Sequence, residues 1–233
     1  MKLLFSIIFI GGMIQAQDFI STDRPDQSEG VFVLPRKQLQ LETGITFSKN
    51  SLTNSTMLRY GIGKNTELRL ENGLQTLGKF STDAIVLSAK QKIFESDNHL
   101  PSITGIGYLS YTPNTEHPFS TDAVLAFQQE ISPKFSMDWN IGIKERFQSF
   151  IWTTILNYSP KDELNFFAEY FADFGNKAPH HSIDLGIMYI INPNFQIDFA
   201  VGQSIFTTDG EPFATAGVSY RFRNTPIRSV EKN

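Results

Sequence analysis

The sequence predicts a transmembrane antiparallel β-barrel of about twelve strands. Three observations lead to this prediction: short segments that alternate apolar and polar residues recur along the chain, an export signal precedes them, and no long apolar run follows that signal. Residues 135–143 are the clearest segment, because every odd position is apolar and every even position is small or polar. This period of two is typical of a strand with one apolar and one polar face.

The N-terminus predicts a secretory signal peptide, which we place at residues 1–17. Lys2 is followed by an apolar run from Leu3 to Ile14 and then by the small residue Ala16. The run is shorter than the roughly 20 residues that a membrane-spanning helix requires. The chain contains no Cys, so we expect neither disulfides nor a lipid-modified N-terminal cysteine. These features indicate export into the envelope of a Gram-negative bacterium.

The barrel is predicted to occupy residues 37–222, after an extended polar segment at 18–36 and before a loose polar tail at 223–233. The first half of the barrel contains six predicted strands, and the fifth, near 102–112, is too rich in glycine for its facing to be assigned. The apolar face of the other five carries Leu39, Leu41, Thr43, Ile45 and Phe47; Leu58, Tyr60 and Ile62; Leu68 and Leu70; Ile85, Leu87, Ala89 and Ile93; Ala123, Leu125, Phe127 and Ile131.

The second half begins with the strand at 135–143 and continues with five more. Ile151, Ile155, Phe167 and Phe171 fall on the polar face of their strands and interrupt the alternation. The apolar face of the five strands carries Phe150, Trp152, Leu156 and Tyr158; Leu164, Phe166, Ala168, Tyr170 and Phe174; Ile183, Leu185, Ile187, Tyr189 and Ile191; Phe195, Ile197, Phe199 and Val201; Ala214, Ala216, Val218, Tyr220 and Phe222.

The connections between strands alternate in length. Short, turn-like links containing Gly63, Pro133, Pro160 and Pro193 alternate with longer ones, which we expect near 48–55, 75–82, 112–120, 175–181 and 206–212. Outer-membrane barrels have short periplasmic turns and longer external loops. An even number of strands with this alternation predicts that both termini lie in the periplasm.

Two short motifs resemble the start of a known outer-membrane family. Thr22-Asp23-Arg24-Pro25, followed by Leu39-Gln40-Leu41-Glu42-Thr43-Gly44, is similar to barrels of the "meta-pathway of phenol degradation" type, which are commonly labelled transporters. The resemblance implies a twelve-stranded barrel and a channel role for small, aromatic or apolar compounds. It implies no catalytic residues.

The polar faces of the strands predict a lumen that contains charges of both signs. One interpretation is a charged constriction that selects solutes; the other, which we favour, is a lumen whose ion pairs neutralise one another and stabilise the wall. The predicted pore-lining residues are Glu42, Arg59, Glu67, Arg69, Glu71, Lys90, Glu130, Asp138, Lys144, Glu169, Asp173, Asp184, Asp198 and Arg221.

The segment at 18–36 is a candidate plug of the periplasmic mouth. We expect Asp23, Arg24 and Asp26, with the intervening Pro25, to lie among the wall charges. A disordered lead segment is an equally good interpretation of its polar, turn-rich sequence. A lumen surrounded by twelve strands has a backbone radius of roughly 12 Å, so a segment of this size is able to fill much of it.

The sequence indicates no catalytic residues, no metal site and no cofactor. His180 and His181 point to opposite faces of a strand and have no third ligand at a suitable spacing, and Ser182 faces away from His181. The mildly acidic net charge of -4 disfavours nucleic acid as a partner. The expected partners are outer-membrane lipid, the export translocon, the barrel-assembly machinery and an unidentified small solute; the oligomeric state is open.

The favoured function is passive passage of a small solute across the bacterial outer membrane, without a catalytic step. One alternative is a structural or adhesive barrel with a blocked lumen. A less favoured alternative is a soluble exported binder of the lipocalin type, because such a protein also builds a barrel from alternating strands.

Overall fold

The computed structural model describes residues 19–25, 27–49, 51–76, 80–96, 100–145, 148–175, 179–206 and 210–222. The predicted signal peptide, the C-terminal tail at 223–233 and Asp26 lie outside the described residues. No helix in the described ranges is both long and apolar enough to cross a membrane.

The chain forms twelve β-strands in sequence order. Their bounds are β1 Leu39–Ser48, β2 Ser51–Gly61, β3 Thr66–Thr76, β4 Phe80–Phe94, β5 Ser102–Tyr111, β6 Phe119–Ser132, β7 Phe135–Lys144, β8 Ser149–Lys161, β9 Leu164–Phe174, β10 His180–Asn192, β11 Phe195–Ile205 and β12 Pro212–Phe222.

These strands make one closed antiparallel barrel in which every strand pairs with its sequence neighbours. The first and last strands close the cylinder, from Leu39 opposite Phe222 to Ser48 opposite Phe213. Closure leaves no strand edge with unpaired backbone groups, which is the condition for a sheet to cross a bilayer. The prediction of a twelve-stranded transmembrane barrel is confirmed.

The barrel is apolar outside and polar inside. On β3, Leu68 and Leu70 are exposed on the outer face, whereas Glu67 and Arg69, which alternate with them, are buried. The same arrangement runs around the cylinder, with Leu87, Leu125, Leu185 and other large apolar side chains facing outward. A water-soluble binder of the lipocalin type would bury these side chains, so that alternative is wrong. The outer face requires lipid, and closed barrels with this face belong to the bacterial outer membrane.

Both ends of the chain's barrel domain lie at one end of the cylinder, which we call the turn side. Its connections are short, at 62–65, 133–134, 162–163 and 193–194, with a longer one at 95–101. The opposite, loop side has connections at 112–118, 145–148, 175–179 and 206–211. The prediction of a long link near 48–55 is wrong, because β1 ends at Ser48 and β2 begins at Ser51. The link expected at 75–82 is likewise shorter, since β3 ends at Thr76 and β4 begins at Phe80.

Two further departures from simple alternation appear in the wall. On β5, Thr104 and Ile106 are buried on the inner face, which resolves the facing that the sequence left open. Ile151, Ile155 and Phe167 also point inward, and Ile155 and Phe167 pack with Ala200 in a small apolar cluster. The inner face therefore combines charged and apolar patches.

Candidate functional site

The N-terminal segment that precedes β1, described at residues 19–25 and 27–36, lies inside the barrel. Near its start, the carbonyl oxygen of Phe19 accepts a hydrogen bond from Arg221 at 3.4 Å. Its middle contacts the wall at Ser28, whose hydroxyl lies 2.5 Å from that of Thr153 on β8. It then returns to the turn side, where the amide of Lys37 donates to the carbonyl of Gly61 at 2.7 Å. The segment enters and leaves the lumen at the same end, as a loop that reaches opposite walls.

Asp23 is the electrostatic centre of this loop. Its two carboxylate oxygens lie 2.8 and 2.9 Å from Lys90 Nζ, and one of them lies 3.2 Å from both Arg59 and Arg69. The three cations come from β2, β3 and β4. A carboxylate surrounded by three cations away from water is held far more firmly than an exposed ion pair.

Four acids surround these three cations. Arg59 contacts Glu42 at 2.8 Å and Glu67 at 2.9 Å, and Arg69 contacts Glu29 at 2.6 Å. Glu29 and Asp23 belong to the luminal segment, whereas Glu42 and Glu67 belong to the wall. Because the side chains in this network are mostly buried, each charge depends on its partners to offset the cost of leaving water.

The surrounding cations lower the pKa of both luminal carboxyls. Burial alone raises the pKa of Asp23, but the opposing effect of Arg59, Lys90 and Arg69 is greater, so the pKa lies below its ordinary value. Burial likewise raises the pKa of Glu29, and Arg69 and Lys90 lower it further than burial raises it. Both groups are therefore ionised at neutral pH.

The two sequence motifs contact each other. Glu42 accepts a hydrogen bond from the backbone amide of Asp23 at 3.1 Å, and Gln40 donates to the carbonyl of Ser21 at 2.8 Å. Thus the Leu39–Gly44 motif on β1 binds the backbone around the Thr22–Pro25 motif.

Arg24 lies in a recess of the wall formed by two glycines. Gly44 on β1 and Gly217 on β12 are paired directly, and a side chain at either position would overlap the Arg24 guanidinium. The same guanidinium donates to Ser55 at 2.9 Å and to Thr215 at 3.1 Å, and it lies 3.5 Å from Asp198. Pro25, the last residue of the motif, is also buried.

The far side of the loop contacts β5 to β9. Ser28 donates to Glu169 at 2.6 Å, and Glu169 also accepts the amide of Gln27 at 2.9 Å. The backbone amide of Glu29 donates to the side-chain oxygen of Asn140 at 2.6 Å, and the Asn140 side-chain amide donates to the Glu29 carbonyl at 2.9 Å. Contacts on opposite walls mean that the loop crosses the lumen.

The loop leaves a cavity on each side. The turn-side cavity, of about 280 Å³, lies between the loop and β6 to β11. The loop-side cavity, of about 380 Å³, lies between the loop and β1 to β4, with Thr215 of β12. Ser28 and Glu29 line both cavities, so these two residues lie at the partition between them.

The structure places most of the predicted pore-lining residues under or beside the loop. Glu71 and Asp173 are half-buried, and Glu130 and Lys144 are exposed near the ends of β6 and β7. The remaining ten are buried on the inner face: Glu42, Arg59, Glu67, Arg69, Lys90, Asp138, Glu169, Asp184, Asp198 and Arg221.

Several residues that contact the loop are outside the predicted pore-lining set. Gln40, Asn140 and Thr153 are neutral, but each lies on the polar face of its strand, and this position is the signal by which they could have been included. Tyr108, which donates to Glu29 and packs against Arg69, lies on the strand whose facing the sequence left open.

The two adjacent histidines lie near the loop side and make separate contacts. His181 shares a hydrogen bond of 2.7 Å with the Tyr170 hydroxyl and packs edge-on against Phe174. His180 lies 3.0 Å from the Ser204 hydroxyl. Within the described ranges, no three His, Cys, Asp or Glu residues are arranged to hold a metal ion.

Comparison with known proteins gives a family for this chain. Residues 22–222 match the family described as "Putative MetA-pathway of phenol degradation". The chain belongs to this family. The match begins within the Thr22–Pro25 motif, so the family's sequence pattern includes the luminal loop as well as the barrel. A comparison with curated proteins gives no match.

Solved structures of several outer-membrane barrels have the same fold. The COG4313 outer membrane channel from Pseudomonas putida F1 is 10% identical, with a TM-score of 0.67 over 85% of this chain and 100% of that one. The KdgM porin is 11% identical, with a TM-score of 0.64 over 79% and 99%. The NanC porin is 8% identical, with a TM-score of 0.62 over 78% and 98%. At these identities, the likeness concerns the fold.

Proposed function

We propose that the protein is an outer-membrane channel for passive passage of a small solute, and that its N-terminal loop controls the lumen. The observation that carries the proposal is the pair of cavities, one opening toward each end of a closed barrel, with the loop between them. A barrel built only as a scaffold has no need of two cavities. The turn side, where both ends of the barrel domain meet, faces the periplasm in this proposal.

The loop is proposed to act as a plug. It is joined to both walls through Asp23 and Ser28, so a solute that crosses the lumen must pass around or displace these contacts. In this proposal, the ten buried charged residues of the inner face hold the plug and line the path beside it. No catalytic step is part of this function.

The proposed solutes are small and include aromatic or apolar compounds. The family's description names phenol degradation, and the turn-side cavity has apolar residues such as Ile155 and Met188 beside its polar ones. A cavity of this size, at the lower end of the range for small-molecule sites, is suited to a single small molecule.

Liposome swelling with a panel of solutes tests this proposal. The purified protein is reconstituted, and swelling is followed with sugars, amino acids and small aromatic alcohols of increasing size. A channel gives swelling rates that fall with solute size above the rate of protein-free liposomes. Protein that is folded, as judged by heat-modifiable gel migration, but gives the protein-free rate for every solute contradicts the proposal.

The alternative is a structural or adhesive barrel with a blocked lumen. The extent of the contacts between the loop and the wall favours it, because two acids of the loop and two acids of the wall share three buried cations. Removal of the loop distinguishes the two functions: a scaffold retains its role without it, whereas a channel changes its permeability.

A further inference from the structure

The outer face of β1 to β3 carries a row of polar side chains. Thr43, Thr56 and Asn72 are direct neighbours in this row, because Thr43 pairs with Thr56 and Thr56 pairs with Asn72. Leu58 and Leu70, which precede the row on the turn side of the same face, are exposed to the outside. We call Thr43, Thr56 and Asn72 the polar row.

The polar row lies near the middle of the bilayer. On the outer face of β1, Thr43 is half-way between Leu39 at the turn side and Phe47 at the loop side. This stretch spans roughly 27 Å along the strand and roughly 20 Å along the barrel axis at a tilt of about 40°, which is close to the apolar band of about 25 Å. By contrast, the outer face of β7 is apolar at its centre, around Trp139.

Part of the polar row is satisfied within the wall. The hydroxyls of Thr43 and Thr56 share a hydrogen bond of 2.8 Å. Asn54, the next residue on the outer face of β2, donates to the carbonyl of Gly44 at 2.9 Å and accepts from Thr56 at 3.3 Å. These bonds offset the cost of placing polar side chains in hydrocarbon.

The side-chain amide of Asn72 has no hydrogen-bond partner among the described residues. Asn72 is half-buried, and neither polar atom of its side chain is among the fully buried unpaired atoms, so a partner outside the barrel is able to reach it. Lipid chains have no donors or acceptors, and a polar group that faces them without a partner is costly. The structure therefore leaves an amide at mid-bilayer that requires a partner from outside the barrel.

A second copy of this chain supplies such a partner at the matching depth. Two copies inserted in the same direction place each residue at the same depth, so a two-fold axis along the membrane normal brings one polar row against the other. An amide has donors and an acceptor, so Asn72 pairs with its own equivalent or with the Thr56 hydroxyl of the second copy. The short side chains of the row allow close approach, and Leu58, Leu70 and Ile85 beside it provide apolar contact.

We propose that the protein forms a two-fold symmetric dimer in the outer membrane through the outer face of β1 to β3, with the polar row at its centre. Hydrogen bonds between the two polar rows fix the register of the copies, and the flanking apolar residues exclude lipid from between them. The proposal goes beyond the channel function, because it concerns the outer face of the barrel and not its lumen.

Cysteine crosslinking tests the dimer, since the chain has no cysteine of its own. Thr56→Cys places a thiol in the polar row, and Thr154→Cys places one at the centre of the outer face of β8, half-way around the barrel. Isolated outer membranes of a Gram-negative expression host are treated with a short, membrane-permeable bismaleimide and analysed on denaturing gels. We expect about tenfold more dimer from Thr56→Cys than from Thr154→Cys. Equal amounts from both, or no dimer from Thr56→Cys, would overturn the proposal.

A second substitution tests the role of the amide. Asn72→Leu, added to Thr56→Cys, replaces the amide by an apolar side chain that suits lipid, so the barrel should fold while the dimer decreases severalfold. Thr154→Leu in the same background is the matched control and should leave the dimer unchanged; heat-modifiable migration checks the fold of both. Undiminished crosslinking in Asn72→Leu would contradict the interface. A monomer that conducts refutes only this inference, whereas a dimer that passes no solute refutes only the channel function.

Discussion

The guanidinium of Arg24 occupies the space that a side chain at Gly44 would fill. Gly44 lies on β1, twenty residues further along the chain, and the two residues belong to the two short motifs on which the resemblance to this family was based. The glycine is therefore explained by a close approach and not by a turn. The motif on β1 provides the recess, and the motif in the loop provides the side chain that fills it.

Gly44→Ala should displace Arg24 and loosen the loop. The added methyl group overlaps the guanidinium, which would lose its contacts with Ser55 and Thr215. We expect a larger and noisier single-channel current than that of the unchanged protein, with the barrel still folded. Planar-bilayer recording measures the current, and heat-modifiable migration monitors the fold.

Gly107→Ala is the matched control for this substitution. Gly107 lies on β5, faces outward and has open space where a side chain would begin. It should leave the current unchanged. If Gly44→Ala and Gly107→Ala give the same current, Arg24 does not control the lumen.

Asp23→Asn should release the loop more strongly than the glycine substitution. The change leaves Arg59, Arg69 and Lys90 with one negative partner fewer, and loss of one partner from a buried charge network costs about 3–5 kcal/mol. We expect increased conductance and faster proteolysis of the N-terminal segment in folded protein. Asp162→Asn, in an exposed turn of the same barrel, should change neither; retained protection of the segment in Asp23→Asn would contradict the role of Asp23.

Acidification should also open the barrel. Asp23 faces Arg59, Arg69 and Lys90 and binds Glu42 through its amide, and Glu29 faces Arg69, Lys90 and Tyr108. The pKa of each luminal carboxyl is lowered when the loop is docked, so docking is fully stabilised above the ordinary carboxyl pKa and weakens as pH falls through the docked value. We expect the current to rise below roughly pH 4.

A reversible crosslink separates loop release from a general effect of acid. The chain has no cysteine, and the hydroxyls of Ser28 and Thr153 are in hydrogen-bond contact, so the double substitution Ser28→Cys and Thr153→Cys should form a disulfide. The oxidised variant should not open in acid, and the reduced variant should. Acid opening of the oxidised variant would show that the loop is not the element that moves.

The outer face should tolerate no charge at its middle. Leu185, on β10, is 62% exposed and lies among apolar neighbours such as Val201 and Ala168. Leu185→Arg should destabilise the folded barrel by about 2–4 kcal/mol if the position lies near the bilayer midplane. Urea unfolding in lipid vesicles measures this, with Asn65→Arg in an exposed turn as the control. Equal stability of the two variants would contradict the assignment of this face to lipid.

The strands could be predicted from the sequence because a barrel wall separates two solvents. On β7, the apolar residues from Phe135 to Ile143 face lipid and the polar or small residues from Ser136 to Gly142 face the lumen, so alternation and structure agree. The alternation fails where this separation ends. Ser51 to Ser55 of β2 lie near the loop side, where apolar residues do not occupy every second position, and the strand is held there by backbone pairing and by side-chain hydrogen bonds such as that from Asn54 to the carbonyl of Gly44.

The arrangement of the charges could not be predicted from the sequence. Glu67 and Arg69 could be placed on the inner face of β3, but their contacts with Leu34 and Asp23 depend on the path of the loop through the lumen. Ile155 and Phe167 point inward, against the alternation of polar and apolar residues, because the lumen contains an apolar patch beside the turn-side cavity. Strand periodicity describes each strand separately and carries no information about contacts across the lumen.

Single-channel conductance of the mature chain with and without residues 18–30 tests the central claim most directly. Both proteins are refolded, checked by heat-modifiable migration and recorded in the same planar bilayers at neutral pH. If the loop controls the lumen, the variant that lacks it should conduct several-fold more current and join the two cavities into one path. Equal conductance of the two folded proteins would contradict the account.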